Sequence, residues 1–377
     1  MSTPPTARPQ PCVLFLSGAS LVGQNVLASL AGRRKGLHLA AINSVAAEPA
    51  LFDFDEAFLC GNLRDDPQAF AQRFSEVMDA LQPCLVIPCR DDDVAFLAAQ
   101  AETRPAYAPR FLCGARRPAE AMLDKAASAT LAHRHGLPFA PTLATDTDSD
   151  PARLIAFAAS HGYPLIAKPR QGFASRGVSL ILDQAQLLRL TGRPDYILQA
   201  YLGDPDAVRA HVEACTHDGI PLFHSFEMDK YSIQAFITPD GRRAGLLATR
   251  HAMRQGRSER VTLASDPALL ELGERCAAAF AAEGWRGPLN IQCQRRATGD
   301  YGIYEFNGRY TGATSARCLL GYDEVGMGLA HFAGIQLDAT PSSGPYPCDV
   351  IRLPVSRALE TSRIAQLKRD GHWRAGT

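Results

Sequence analysis

Short apolar runs alternate with segments of helical periodicity along the first hundred residues. CVLFL at 12–16 reads as a buried strand, and SGASLVGQNVLASLAG follows as turn and helix. A strand at LHLAAIN, another near AFLCG, a helix over Pro67–Leu81, a strand at CLVIP and a helix over Asp91–Ala101 complete a βαβαβα alternation. That order predicts an open parallel sheet. Residues 118–135 read as helical, closed by Gly136-Leu137-Pro138, and a helix over Pro151–His161 precedes the strand YPLIAKP. From about 196 the pattern becomes strand-rich, with turns at Asp218-Gly219 and Asp240-Gly241. A helix over Pro267–Gly284 then leads into paired strands at 289–309. Residues 1–11, MSTPPTARPQP, read as a disordered Pro-rich tail. The segment after about 341 is Pro-rich and then basic, and its pattern assigns no element. No internal repeat is apparent.

Composition narrows the picture. A chain of 377 residues has room for two or three domains of α/β character. Formal net charge is zero, and no basic block marks a nucleic-acid or membrane surface, so the expected partners are small molecules. CVLFL is too short to span a bilayer, and no targeting segment is visible. Ten cysteines contain no C-x-x-C pair; their spacing suits reduced core residues of a cytoplasmic protein better than zinc or a disulfide framework. The histidines, His133 and His135 included, form no ligand cluster.

The chemistry concentrates at 289–309, LNIQC, a turn, then GIYEFNGR. Residues two apart share a strand face. A hairpin symmetric about Thr298 and Gly299 sets Gln292 opposite Glu305 and Asn290 opposite Asn307, with Arg309 further along the same face. Carboxylate and amide oxygens without imidazole or thiolate suit a hard cation such as Mg²⁺, which usually brings phosphates. The ordinary alternative is a solvated sheet face, which leaves the Asn-Gly-Arg-Tyr-Thr-Gly run unexplained.

Two glycine-bearing turns bear on nucleotides. Gly18-x-x-x-x-Gly23 lacks a full dinucleotide fingerprint, and Asn43 stands where an acidic residue would be needed, so a tight βα turn is the reading and an NAD-dependent oxidoreductase is weakly supported. In YPLIAKPRQGFASRGVSLIL, Lys168 ends a strand and residues 171–177 form a glycine-bounded flap whose backbone can approach phosphate. Only five lysines occur in the chain, which gives one beside such a loop more weight.

Lys125 in MLDKAASATLAHRHGLPFAPT, Lys168 with its flap, ILQAYL, NIQ and EFNGR together resemble the ATP-grasp superfamily, closest to the branch of biotin carboxylase and the carbamoyl-phosphate synthase large subunit. The resemblance spans roughly residues 12–335. It implies a Rossmann-like domain over 12–117, a central lobe with the flap over 118–198, a second lobe with the metal site over 199–341, and an extension over 342–377. It implies that Lys125 and Lys168 hold ATP phosphates, and that Gly172, Ser175 and Gly177 belong to the closing flap. Gln199, Tyr201 and Leu202 resemble the hinge that reads adenine. Gln292, Glu305 and Asn307 resemble the set that holds Mg²⁺, or Mn²⁺ in its place. Arg309 would stabilise the transferring phosphoryl group, and Arg250 and Arg254 resemble basic residues near the acyl-acceptor site, with a solvated strand edge as the alternative.

Three features depart from the family pattern. Gly308 replaces the usual proline, which suggests a more flexible loop. The ribose-binding glutamate has no clean counterpart: Lys230 precedes the strand, with Glu227, Asp229 and Asp206 as imperfect candidates. The stretch from Leu202 to Tyr231 is long and suggests an added hairpin. The implied activity is an ATP-dependent ligase joining a carboxylate to an amine (or a thiol) through an acylphosphate, releasing ADP. A bicarbonate-using carboxylase or carbamate-forming enzyme, and a non-catalytic nucleotide-binding module, are the alternatives. Because ATP-grasp ligases are often dimers, a homodimer is the implied assembly.

Overall fold

The computed structural model describes residues 10–145, 150–172, 176–220, 230–254, 257–338, 349–353 and 356–376. Its first sheet arises from the expected alternation. Strands Cys12–Leu16 (β1), His38–Asn43 (β2), Glu56–Leu59 (β3) and Leu85–Pro88 (β4) are parallel and almost wholly buried. Helices Leu21–Ser29 (α1), Pro67–Leu81 (α2) and Asp91–Thr103 (α3) alternate with them. Both faces of such a sheet are covered, so its strands are continuous apolar runs. Gly23 shows why the first βα turn needs glycine: a Cβ there would lie 1.9 Å from the Gly18 carbonyl oxygen.

Residues 116–134 form two helices, Arg116–Leu123 (α4) and Lys125–Arg134 (α5). Asp124 separates them and caps the second by accepting from the Ala126 and Ala127 amides. A four-stranded antiparallel sheet follows, from Thr142–Thr145 (β5), Leu165–Pro169 (β6), Ser179–Ile181 (β7) and Tyr196–Ala200 (β8), in the order β5-β8-β6-β7. Helices Pro151–His161 (α6) and Gln184–Leu188 (α7) bury Leu154, Ala158 and Leu187 against one face.

The stretch from Leu202 to Tyr231 corrects an expectation. Pro205–Asp218 is a helix (α8), capped by Asp204, with Pro205 at its first position and Gly219 (φ +89°) just past its end. Asp218-Gly219 is therefore a helix stop and not a hairpin turn, while residues 221–229 lie outside the described part.

A six-stranded sheet completes the fold. Lys230–Ile237 (β9), Arg243–Arg254 (β10), Arg257–Leu263 (β11), Gly287–Arg295 (β12), Tyr301–Asn307 (β13) and Val350–Ile351 (β14) lie in the order β13-β12-β9-β10-β11-β14. Helix Pro267–Ala282 (α9) packs on one face through β9 and β10; there Gly273 admits Ile233 and Leu246 so closely that a Cβ would sit 2.7 Å from Ile233. Thr314–Leu319 (α10) and Glu324–Ala333 (α11) follow, joined by a fully buried Arg317–Glu324 ion pair.

Thr361–Asp370 (α12) and His372–Arg374 (β15) return to the first sheet, where β15 pairs antiparallel with β3. The 342–377 extension thus contributes an edge strand to two sheets. Of the expected lobe boundaries, 117/118 falls inside α4 and 198/199 inside β8.

Candidate active site

The site is built on β12 and β13. Gln292 lies opposite Glu305 and Asn290 opposite Asn307, the pairing expected from the sequence. The route to it differs. The turn is centred on Thr298, where the Arg296 amide bonds to the Asp300 carbonyl, and a bulge at Tyr304 then shifts the register by one. Without that bulge Gln292 would face Tyr304. On β9, Ser232 lies beside Gln292 and Gln234 beside Asn290; on β10, Thr249 lies beside Ser232 and His251 beside Lys230. One sheet face therefore carries the polar set.

The central sheet supplies the facing wall. Thr142, Gln199 and Ile166 form one row across β5, β8 and β6, with Lys168 two residues beyond Ile166 on the same face. The alternate residues Leu165, Ala167 and Leu198 point into the core beside α6. Between the two sheets lies a cavity of about 230 Å³. Its lining includes Lys125, Lys168, Lys230, Gln292 and Glu305, together with Ile166, Val178, Gln199, Tyr201, Leu202 and Tyr304. Three of the chain's five lysines thus meet in one cleft whose only lining carboxylate, among the described residues, is Glu305. Such an excess of positive charge favours a polyanion.

Each lysine is held differently. Lys125 opens α5; its Nζ donates to the Gly172 carbonyl at 3.3 Å and stands 3.7 Å from Glu305 Oε1. The flap base is fixed beside it, because Arg170 forks onto the Asp124 carboxylate and its carbonyl accepts from the Lys125 amide. Lys168 Nζ donates to the Tyr304 carbonyl at 3.2 Å. Burial pushes Lys168 down to about 8, with Lys125 and Lys230 adding to the fall and Glu305 opposing it. Burial also lowers Lys230, again against Glu305. Behind them His251 hydrogen-bonds Thr249 and Ser258, and burial, with Arg317, Arg352 and Lys230 nearby, pushes it down to about 3, so it is neutral.

Arg309 reaches away from the cavity. Its Nη2 donates to Asp91 Oδ2 at 2.7 Å and to Asn307 Oδ1 at 3.2 Å. Asp91 is the first residue of α3, directly beyond β4, so the carboxyl edge of the parallel sheet touches the site here, as ligand crevices of such sheets do. Burial works against the Arg309 charge, but Asp91, aided by Glu305, holds its pKa above the ordinary value.

Most of the sequence-derived residues come together. Lys125, Lys168, Gly172, Gln199, Tyr201, Leu202, Gln292 and Glu305 line the cavity. Asn307 lies one ladder step away, its oxygen engaged by Arg309. Gly177 (φ +74°) sits at the flap's return, where a Cβ would come within 3.0 Å of Pro169. Ser175, Glu227 and Asp229 lie outside the described residues. Arg250 and Arg254 do not line this cavity. Strand alternation turns Arg250 to the face opposite His251, and Arg254 is exposed and paired with Glu259. Asp206 is an exposed α8 residue paired with Arg209 and does not line the cavity. Sequence reasoning missed Lys230 and Arg176 as cavity residues; the scarcity of lysine was the signal that would have found Lys230. Gly308 also differs from expectation: it is buried against Trp285 and Met122, with no room for a Cβ, so close packing and not loop flexibility requires it.

The donor set fits a hard divalent cation. Glu305 and Gln292 offer oxygen only, and the described residues contain no group of three His, Cys, Asp or Glu side chains able to hold a metal by themselves. Mg²⁺ is commonly held in this way, by one or two protein oxygens with the rest supplied by phosphate and water.

No protein-family model and no curated protein matches the chain. Solved structures do. The biotin carboxylase domain of Hydrogenobacter thermophilus 2-oxoglutarate carboxylase, a dimer in complex with MgADP and bicarbonate, superposes with a TM-score of 0.60 at 17% identity, over 87% of this chain and 71% of that one. N5-carboxyaminoimidazole ribonucleotide synthetase from Thermus thermophilus gives 0.63 at 17%, over 87% and 80%. L-amino acid ligase from Bacillus licheniformis gives 0.59 at 13%, over 86% and 75%. The chain has the ATP-grasp fold that these enzymes share.

Proposed function

We propose that the protein is an ATP-dependent, ADP-forming ligase that joins a small carboxylate to an amine. The observation that carries this reading is the meeting of Lys125, Lys168 and Lys230 with Glu305 and Gln292 in one cavity of an ATP-grasp fold. The lysines bind the phosphate chain as point charges. Glu305 and Gln292 would hold Mg²⁺, or Mn²⁺; when bound, the ion neutralises charge on the β- and γ-phosphates. A carboxylate oxygen of the substrate attacks the γ-phosphorus, and the bond to the β–γ bridging oxygen breaks, giving an acylphosphate and ADP. The amine then attacks the acyl carbon, the acyl C–O bond breaks with its electron pair leaving on phosphate, and the nitrogen loses a proton.

In this scheme Lys168 and Lys125 disperse the negative charge that accumulates on the transferring group. Arg309, held by Asp91 and Asn307 at the carboxyl edge of the parallel sheet, would receive the substrate carboxylate if that group enters from this edge. Gly172 and Arg176, which line the cavity beside these lysines, would contact the phosphate chain. We also propose a cytoplasmic setting, supported by nine free cysteines among the described residues, and a homodimer like that of the biotin carboxylase domain.

A second reading keeps the chemistry but makes bicarbonate the carboxylate; it is favoured by the bicarbonate bound to the Hydrogenobacter domain. One assay separates them. The protein is incubated with ATP, Mg²⁺, pooled amino acids and small carboxylates, and hydroxylamine to trap acylphosphate as hydroxamate. ADP with a hydroxamate is expected. ADP only when bicarbonate is supplied selects the second reading. AMP with pyrophosphate overturns both, and ATP binding with no turnover in any pool leaves a nucleotide-binding module.

A further inference from the structure

Gln199 is 2% exposed and lines the cavity from the middle of β8. Its Nε2 donates to Thr142 Oγ1 at 3.0 Å, and Thr142 Oγ1 donates to the Ala140 carbonyl at 2.8 Å. A threonine hydroxyl has a single proton. Because Ala140 takes that proton, Thr142 can meet Gln199 only as an acceptor. The nitrogen end of the amide must therefore face Thr142. Were the amide reversed, the hydroxyl would have to abandon Ala140 to serve it. Oε1 accepts no hydrogen bond from the described residues and is left to the cavity. Apolar side chains share this part of the lining: Ile166 lies directly across the ladder from Gln199, and Val178 and Leu202 line the same cavity.

A heterocyclic base packed on these apolar side chains would meet a fixed acceptor at its polar edge. We propose that Thr142 is a positioning residue that sets the base preference of the cleft: by turning Gln199 Oε1 inward, it selects a base presenting an amino hydrogen over one presenting a keto oxygen. The inference rests on the nucleotide reading above and adds to it a residue that touches no ligand. Its range is limited to the base, since neither Thr142 nor Gln199 belongs to the lysine cluster.

ATP and inosine triphosphate separate the two cases, since the 6-amino group of one is a 6-keto group in the other. Titration calorimetry with each nucleotide and Mg²⁺ on the full chain is expected to show inosine triphosphate binding at least about tenfold more weakly, as for a buried acceptor left facing another. Thr142→Val keeps the shape and removes both hydrogen bonds; the ratio of the two dissociation constants is expected to fall towards one. Thr142→Ser restores the relay and is expected to restore the ratio. Equal wild-type affinities overturn the proposal while leaving the nucleotide site intact. A valine variant that weakens both nucleotides alike, with the ratio unchanged, shows a packing role only and also overturns it. Wild-type protein that binds neither nucleotide overturns the ligase reading itself, and this inference with it. The wild-type comparison stands even if the valine variant does not fold.

Discussion

Burial and the neighbouring lysines both act on the ammonium of Lys168. It is 6% exposed, with its pKa pushed down to about 8. An unfolded lysine holds its proton to about 10.4. Between about pH 8 and 10.5 the unfolded chain therefore binds more protons, so this group makes stability rise with pH through that window. A bound phosphate chain reverses the local balance by favouring the ammonium. Nucleotide binding at pH 8.5–9 is thus expected to take up protons and at pH 7 almost none. Calorimetry in two buffers of different ionisation enthalpy reads the difference; equal apparent enthalpies at pH 9 would remove phosphate from Lys168. Glu305 carries the other residue-scale expectation. Glu305→Ala leaves three lysines without their carboxylate and is expected to reduce Mg²⁺-dependent ADP formation by a hundredfold or more, on the order of an electrostatic catalytic group, with circular dichroism unchanged. Retained turnover would displace the metal assignment.

Local signals made the elements that carry the site legible. Alternation placed Gln292 opposite Glu305, and it did so although the true turn is centred half a residue away, because the bulge at Tyr304 cancels the difference. A bulge has no local sequence signature here, so its presence could not be read. The helix over Pro205–Asp218 is hidden for a related reason: Asp-Gly serves both hairpin turns and helix ends, and with only Val208 buried the helix shows almost no apolar stripe. Arg250 and Arg254 were carried by resemblance alone, and strand alternation sets the first on the face opposite His251. Gly308 was legible as a departure but not in its cause, since Trp285 approaches it from a separate strand's lead-in. A Cβ on Gly308 would lie 2.7 Å from the Trp285 ring. Gly308→Ala is expected to cost about 1–3 kcal/mol, seen as a lower midpoint in denaturation; an unchanged midpoint would mean the ring moves aside freely.

Over the whole molecule, the parallel sheet was predictable and its outer edge was not. β15 has only three residues, too few for a periodic pattern, and its partner β3 lies more than three hundred positions earlier. Its attachment is well made. Glu56 accepts from both His38 and His372, at 2.9 and 2.8 Å when those ring nitrogens carry protons, and Trp373 is buried edge-on against Phe52. Ending the chain after Glu360 strips both α12 and β15 from that edge. The expected result is a lower unfolding temperature and self-association visible by light scattering, since an unpaired strand edge templates further pairing. A truncated chain as stable and monodisperse as the full one would show that the edge needs no cover.

That late-arriving strand also sets a clock on synthesis. The ribosome must add roughly three hundred residues after Leu59 before His372 emerges to close the sheet. At about 5–20 residues per second this is on the order of 15–60 s. For that interval the outer edge of β3 lacks its partner strand, and a chaperone acting on the nascent protein has its opportunity then.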